Sequence, residues 1–414
     1  MSKKRFSYFA IHFMTIILTF ATICIPSIQL SPESESLMSL RLLKKLVEIP
    51  GPSLQEEAIC RCMADIMMTW GISTTFNEKE PWVVGRLPGS GPKIALISHI
   101  DEPRFLLTQV DASDVAVFDG VSYAPTWNQA ELAKFLTYEE LITAPVIRNP
   151  NKKERLALFI PEWHKSFPML SWTVENVYHQ LATVQLNRDE AVFARKALAE
   201  RRQIVAINKN SLRQERDPII GDVVIGSPLD NRLGVALILS LSHHYKNKSI
   251  EERPNLYIVG RPREELPGNS DLIIPAISDV DLVIVVDDPA MHWYPALGGG
   301  PVIVLHNDRT PKWLVDIIME LPPYQGMIPL PPAKSGKKYS SDICVQIFRT
   351  DEISFLTVVA NDAGKNVPTF FIGPTMLRYH TSEEKMSVSD IRNCEKLMIL
   401  LFEQIVQRSH NRLP

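Results

Sequence analysis

Four short apolar runs constrain this chain more than any other feature: Lys93 to Ile97, Leu256 to Val259, Asp281 to Val286 and Phe370 to Ile372. They are too short for helices and lack the alternation of a strand with one wet face. Such runs fit interior strands covered on both sides. Segments with helical periodicity lie among them, at Leu233 to Tyr245, Ser270 to Ile277, Pro311 to Glu320 and Ser389 to Val406. The alternation predicts an α/β domain, in which reactive groups collect beyond the carboxyl ends of the strands.

Upstream, Leu37 to Val47 reads as a short amphipathic helix stopped by Pro50-Gly51-Pro52. Ser53 reads as the cap of a second helix reaching Trp70, with Glu56 completing a capping box. Trp82 to Gly85 adds a strand. From 105 to 218 the alternation breaks down: Trp127, Trp163 and Trp172 are irregularly spaced and prolines recur. One helix is expected there, from Arg188 to Arg202, and Leu212 to Pro218 reads as a charged linker. At 414 residues the chain exceeds the usual single core. The expected layout is a catalytic domain in two parts, 37–104 and 219–408, interrupted by a smaller inserted subdomain at 105–218.

The first 30 residues differ from the rest. Lys3-Lys4-Arg5 precedes an apolar run from Phe6 to Ile25, and Pro26 ends it. That layout predicts a leader over residues 1–30, either a signal peptide or an uncleaved membrane anchor. Both place the body outside the cytoplasm of a bacterial source, in the periplasm or another extracytoplasmic space. The net charge of -3 lacks the basic excess of a nucleic-acid footprint. Cys24, Cys60, Cys62, Cys344 and Cys394 form neither a disulfide framework nor a cysteine-rich metal site.

The residues just beyond the expected strands carry the chemistry. His99 and Asp101 close the first run, and Asp230 lies in Gly226-Ser227-Pro228-Leu229-Asp230-Asn231-Arg232. Glu264-Glu265 comes after the Leu256 run, Asp287-Asp288 after the Leu282 run, and His380 after the Phe370 run. Two histidines and three carboxylates suit a pair of zinc or cobalt ions sharing one carboxylate. A further carboxylate that is not a ligand can then move the proton of an activated water, a task that adjacent glutamates divide between them. Asp101 can accept the second imidazole proton of His99 and orient it. Taken singly, each acid reads as a solvated loop carboxylate, and Glu264-Glu265 as a surface pair with Arg261 and Arg263. His243-His244 reads as structural within its helix. The joint placement of five segments favours the metal reading.

These segments resemble peptidase family M42, the glutamyl-aminopeptidase and cellulase-M-like dinuclear aminopeptidases. The resemblance rests on Ser98-His99-Ile100-Asp101-Glu102, Pro228 to Gly234, Glu264-Glu265, Val286-Asp287 and Leu297 to Pro301. It continues in Ser340-Ser341-Asp342, Gly364 to Thr369 and Arg378-Tyr379-His380, with Glu384 four residues beyond the histidine. It implies a zinc-aminopeptidase-like α/β/α catalytic domain with a central, mostly parallel sheet and an inserted subdomain. It also implies that His99 and Asp287 hold one metal, that Glu265 and His380 hold the other, and that Asp230 bridges them. Glu264 would be the general base, Asp101 would orient His99, and the Asp230–Asn231 peptide would be cis. Homo-oligomers are common in the family. The chain departs from the pattern at Asn231, at Arg263, at Leu266 to Asn269 and in the direct succession of Tyr379 and His380. The insert shows little of the family's glycine-rich β-barrel.

The leading expectation is therefore an aminopeptidase acting on peptides, with selectivity set by the insert and by the loops at Gly298 to Gly300 and Ser340 to Asp342. Those loops would meet the substrate's amino terminus through backbone N–H groups or Asp342. A deacylase or amidohydrolase on a small metabolite would show a closed pocket with a cationic wall at Arg232 or Arg378. A binding protein without turnover would lack a ligand or have a blocked pocket.

Overall fold

A computed structural model describes residues 37–77, 79–121, 157–176, 179–208, 210–265, 274–288, 297–306, 309–321, 346–350, 367–377 and 384–412. The leader, Trp127, Ser340 to Asp342 and Arg378 to His380 lie outside the described residues.

The apolar runs pair with one another, as strands without a wet face must. An eight-stranded sheet takes the order β1 (Ser73–Phe76), β2 (Val83–Leu87), β12 (Pro254–Arg261), β3 (Ser90–His99), β13 (Leu282–Val286), β16 (Thr369–Gly373), β14 (Val302–His306), β15 (Gln346–Thr350). The central pairs β12/β3, β3/β13 and β13/β16 are parallel. Ile94 and Leu96 face one core with Leu256, Ile258, Leu282 and Ile284, while Ala95 and Ile97 face another with Tyr257, Val259, Val283 and Val285. That two-sided burial is the physical reason for the uninterrupted runs.

The first of these cores is closed by five helices: α1 (Met38–Leu46), α2 (Glu57–Thr69), α4 (Arg232–Tyr245), α5 (Lys312–Glu320) and α6 (Val388–Arg412). On the second, among the described residues, Ile274, Ile277 and Val280 around a short 3-10 turn cover the strands. The helix expected over Ser270 to Ile277 is thus a 3-10 turn at Pro275–Ile277, and its first residues lie outside the described ones.

The insert is a closed six-stranded barrel. β4 (Arg104–Val110), β5 (Val115–Val121), β8 (His179–Gln185), β7 (Lys165–Asn176), β6 (Ala157–Ile160) and β9 (Val205–Asn208) pair in that order around the ring. Its core joins Phe105, Leu107, Phe118, Leu158, Phe167 and Val184 to the buried alanines of α3 (Arg188–Ala199). Asn187 and Glu190 form a capping box at the start of α3.

The stretch read as a linker is instead a strand. β10 (Asn210–Asp217) pairs with β11 (Gly221–Ser227), and β18 (Glu384–Ser387) and β17 (Met376–Leu377) complete a four-stranded sheet. Its charges suit an edge position: Arg213 meets Glu215 at 2.7 Å, and Asp217 receives Lys385 at 2.8 Å.

Register places the chemistry. His99 of β3 stands beside Arg261 of β12, and Ile97 beside Val285 of β13. The chain leaving each strand therefore carries Asp101, Glu264-Glu265 and Asp287 out over one sheet edge. The barrel begins immediately after that edge, at Arg104.

Candidate metal centre

Asp101 ties two strand ends together. Its Oδ1 accepts the backbone N–H of Glu264 at 2.9 Å, and its Oδ2 accepts that of Glu265 at 3.0 Å. The Ser53 hydroxyl donates to Oδ2 at 2.7 Å, and His99 Nδ1 lies 3.4 Å from Oδ1. Burial alone would raise this carboxyl, but its contacts with His99, Ser53 and the Glu265 amide hold it below the usual range. Asp101 thus fixes the glutamate turn and stands beside the imidazole of His99.

Ser53 does not cap the second helix. Glu56 is the N-cap of α2 without a side-chain cap bond, and its Oε1 instead accepts the N–H of Leu54 at 2.8 Å and that of Arg263 at 3.2 Å. Both residues face the site because the segment after Pro52 docks on Glu102, where the Ser53 N–H meets the Glu102 carbonyl at 3.2 Å. Ser53→Ala is expected to cost roughly 1 kcal/mol of stability and a few-fold in turnover, through a less constrained Asp101. Chemical unfolding and kcat measured together test this; a variant identical to the parent in both would remove Ser53 from the site.

His99 Nε2 lies 2.9 Å from Asp230 Oδ1 and 3.8 Å from Asp287 Oδ1. Among the described residues, two sets of ligand atoms fall within 4.8 Å of one another, His99 with Asp230 and Asp287, and His99 with Glu264 and Glu265. The first is the grouping that the resemblance implied for one metal. In the second, Glu265 gathers with His99 and Glu264, and its expected companion His380 lies outside the described residues.

Asp230 sits between β11 and α4, in a loop with cis peptides at Ser227–Pro228 and Asp230–Asn231. The expected cis bond is therefore present. Asn231 holds the far side of this loop: its Nδ2 donates to the Val286 carbonyl at 2.8 Å and its Oδ1 accepts the Gly234 N–H at 2.8 Å. Asn231 thus locks the Asp230 loop to the strand that carries Asp287.

The electrostatics fit a cation. Asp287 is pushed up to about 8 by burial, opposed by His99 and reinforced by Asp230 and Glu265. Glu264 is raised well above its ordinary range, first by burial and then by Glu265, Asp287 and Asp101 against the pull of His99. Burial works against a charged His99, yet Asp287, Asp101 and Asp230 hold it well above its ordinary value. An imidazole and buried carboxylates that repel one another are the donor set of zinc and similar divalent ions, and a bound cation replaces the protons that otherwise relieve the repulsion.

Close packing adds a residue that the sequence did not single out. A Cβ at Gly373, the end of β16, would stand 1.5 Å from the Asp287 carbonyl oxygen. Gly373→Ala is expected to displace Asp287 and lower divalent-metal affinity at least tenfold. Calorimetric titration checks this, and unchanged affinity in a folded variant would refute it.

Two N–H groups of the Gly298 to Gly300 loop are already engaged. Asp390 at the start of α6 accepts the Gly298 N–H at 2.7 Å and the Gly300 N–H at 2.8 Å. They are therefore committed to the last helix, which weighs against their expected use on the substrate. Burial raises Asp390 to about 6 against those two bonds, from an ordinary 3.8. A folded-state value above the unfolded one favours folding below about pH 4 and loses that contribution as pH rises through about 6. Melting temperature should therefore fall less steeply between pH 4 and pH 6.5 in Asp390→Asn than in the parent. Parallel slopes would show that Asp390 does not titrate there.

Arg232 is fully buried and donates to the carbonyls of Ile100 and Ile49 (3.2 Å for Ile49) and to Glu102 Oε1 at 3.2 Å. It cannot form the cationic wall of a pocket, and Arg378 lies outside the described residues.

The chain is similar to known peptidases in part of its sequence and in its fold. The family model for peptidase M42, glutamyl aminopeptidase, matches residues 188–328. The putative aminopeptidase FrvX of Escherichia coli (strain K12) is 25% identical over 281 residues, covering 66% of this chain and 73% of its own. The TET aminopeptidase from the marine sediment archaeon Thaumarchaeota archaeon SCGC AB-539-E09 superposes with a TM-score of 0.59 at 15% identity, over 90% of this chain and 99% of its own. Aminopeptidase APDkam598 from Desulfurococcus kamchatkensis gives 0.59 at 15% identity, over 91% and 98%. The TET1 peptidase of Pyrococcus horikoshii, described as assembling into a tetrahedron or a large octahedral shell, gives 0.54 at 16% identity, over 88% and 99%. These structures show the fold: a mixed α/β domain with a central, mostly parallel sheet and an inserted small barrel.

Proposed function

We propose that this chain, a divergent member of the M42 peptidase family, is a dinuclear metal-dependent aminopeptidase that removes the N-terminal residue of peptides. The observation that carries the reading is the gathering of Asp230 and Asp287 on one side, and Glu264 and Glu265 on the other, around the imidazole of His99. His99 and Asp287 would hold one ion and Glu265 and His380 the other, with Asp230 between them. Bound divalent ions, zinc or cobalt, would acidify a water and polarise the scissile carbonyl. Glu264, fixed through its N–H on Asp101, would take the proton of that water and deliver it to the departing nitrogen. Asp101 keeps His99 and the glutamate turn in register while Glu264 changes protonation state.

The test uses purified protein loaded with zinc or cobalt and a panel of peptides with free or acetylated amino termini. Release of the first residue from free peptides only, lost on chelation and restored by metal, supports the reading. Equal cleavage of the acetylated panel, or no turnover with two metals bound per chain, would sink it. The burial of Arg232 weighs against a small-metabolite amidohydrolase walled by that cation.

Two further proposals accompany the reading. The basic and apolar pattern of residues 1–30 supports export of the body, and protease protection in intact cells of a bacterial host, stripped of their outer membrane, would contradict it. The assembly described for the Pyrococcus horikoshii peptidase supports a homo-oligomer here, and a monomer at micromolar concentration by light scattering would argue against it.

A further inference from the structure

The loop bearing Asp230 has a second anchor that the mechanism does not use. Glu384 opens β18, opposite Gly226 in the antiparallel pair with β11, and its side chain is buried. Its Oε2 accepts the backbone N–H of Leu229 at 2.5 Å and that of Asp230 at 3.3 Å. One carboxylate oxygen therefore takes up consecutive N–H groups at the point where the chain turns from β11 toward α4. The neighbouring Lys385 pairs with Asp217 at 2.8 Å, so β18 is pinned to both β11 and β10. In sequence Glu384 lies four residues beyond His380.

We infer that Glu384 is a positioning residue for the metal centre, holding the Asp230 carboxylate at its bridging place through the Leu229 and Asp230 amides. The inference rests on the proposed dinuclear reading. Asp230 must reach His99 Nε2 at 2.9 Å from a loop, and loops keep a ligand in place only when their backbone is tied down. Asn231 ties the loop on the side of Asp287, and Glu384 ties it from the strand that comes after His380. The two anchors grip the residues on either side of the Asp230 carboxylate from different elements of the fold.

The experiment compares Glu384→Ala, Glu384→Gln and the parent full-length protein. Zinc binding is measured by competitive titration with a chromogenic chelator, and folding by circular dichroism and melting temperature. Glutamine keeps an oxygen that can accept both amides, whereas alanine keeps none. Zinc affinity is expected to fall about 10- to 100-fold in Glu384→Ala and to return to within a few-fold of the parent in Glu384→Gln. A folded Glu384→Ala protein with parental zinc affinity would overturn the inference and leave the proposed function standing. Equal loss in the two variants would also overturn it, because the amide bonds would then not be what matters. If Glu384→Ala does not fold, Glu384→Gln and Glu384→Asp decide, with affinity expected to track reach and to fall in the aspartate. A parent protein that binds no zinc would end both readings.

Discussion

Glu264→Gln is expected to lower kcat by about 10²- to 10⁴-fold while the protein keeps its metals. The substitution preserves the shape of the side chain and leaves the backbone N–H of residue 264 on Asp101 Oδ1, where Glu264 holds it at 2.9 Å. It removes the ability to accept a proton, together with the charge of the ionised carboxylate. The adjacent Glu265→Gln has an equally undisturbed backbone anchor, at 3.0 Å on Asp101 Oδ2, yet it removes a proposed metal ligand. The pair therefore separates chemistry from metal binding: Glu264→Gln should lose turnover at parental metal content, and Glu265→Gln should lose metal. Metal analysis of the dialysed proteins, together with kcat at saturating metal, reads both. Glu264→Gln with parental kcat would exclude it as the base. Loss of metal in Glu264→Gln would make it a ligand, an outcome its grouping with His99 and Glu265 makes worth measuring.

The parts of this molecule that sequence expressed well are those in which one local pattern has one physical meaning. Ile94 to Ile97 and Leu282 to Val286 lack polar breaks because both faces of each strand are buried, and the residues just beyond them arrive at one edge by register. The barrel was less legible because closure depends on pairing between distant segments, such as Phe105 with Ala206, which no local period announces. β10 looked like a linker because an edge strand carries charges that partners elsewhere satisfy, as Lys385 does for Asp217. Ser53 and Glu56 misled for a different reason. Ser-x-x-Glu is the pattern of a helix cap, and only the docking of the preceding loop on Glu102 turns Ser53 toward Asp101. Glu384 carried a motif position in the sequence, but its bonds to the Leu229 and Asp230 amides depend on how β18 pairs.

Arg232→Ala is expected to destabilise the fold by about 3–5 kcal/mol, the largest effect on stability expected of a single substitution here. Arg232 is a buried charged residue in the first turn of α4, and its guanidinium is spent on the site's underside. It bonds the carbonyls of Ile100 and Ile49 and pairs with Glu102, whose Oε1 also accepts the Gly51 N–H at 2.6 Å. Truncation leaves Glu102 charged in a dry interior and frees the two chain segments that flank Ser53 and Asp101. Glu102→Gln alone should also destabilise, because it leaves the Arg232 charge buried, although it keeps an oxygen for Gly51. Combining Glu102→Gln with Arg232→Met should cost less than the two single changes added together, since no unpaired charge then remains. Urea unfolding of the parent, the two single variants and the double variant measures that coupling. Strict additivity would show that Arg232 and Glu102 act separately on the stability of the fold.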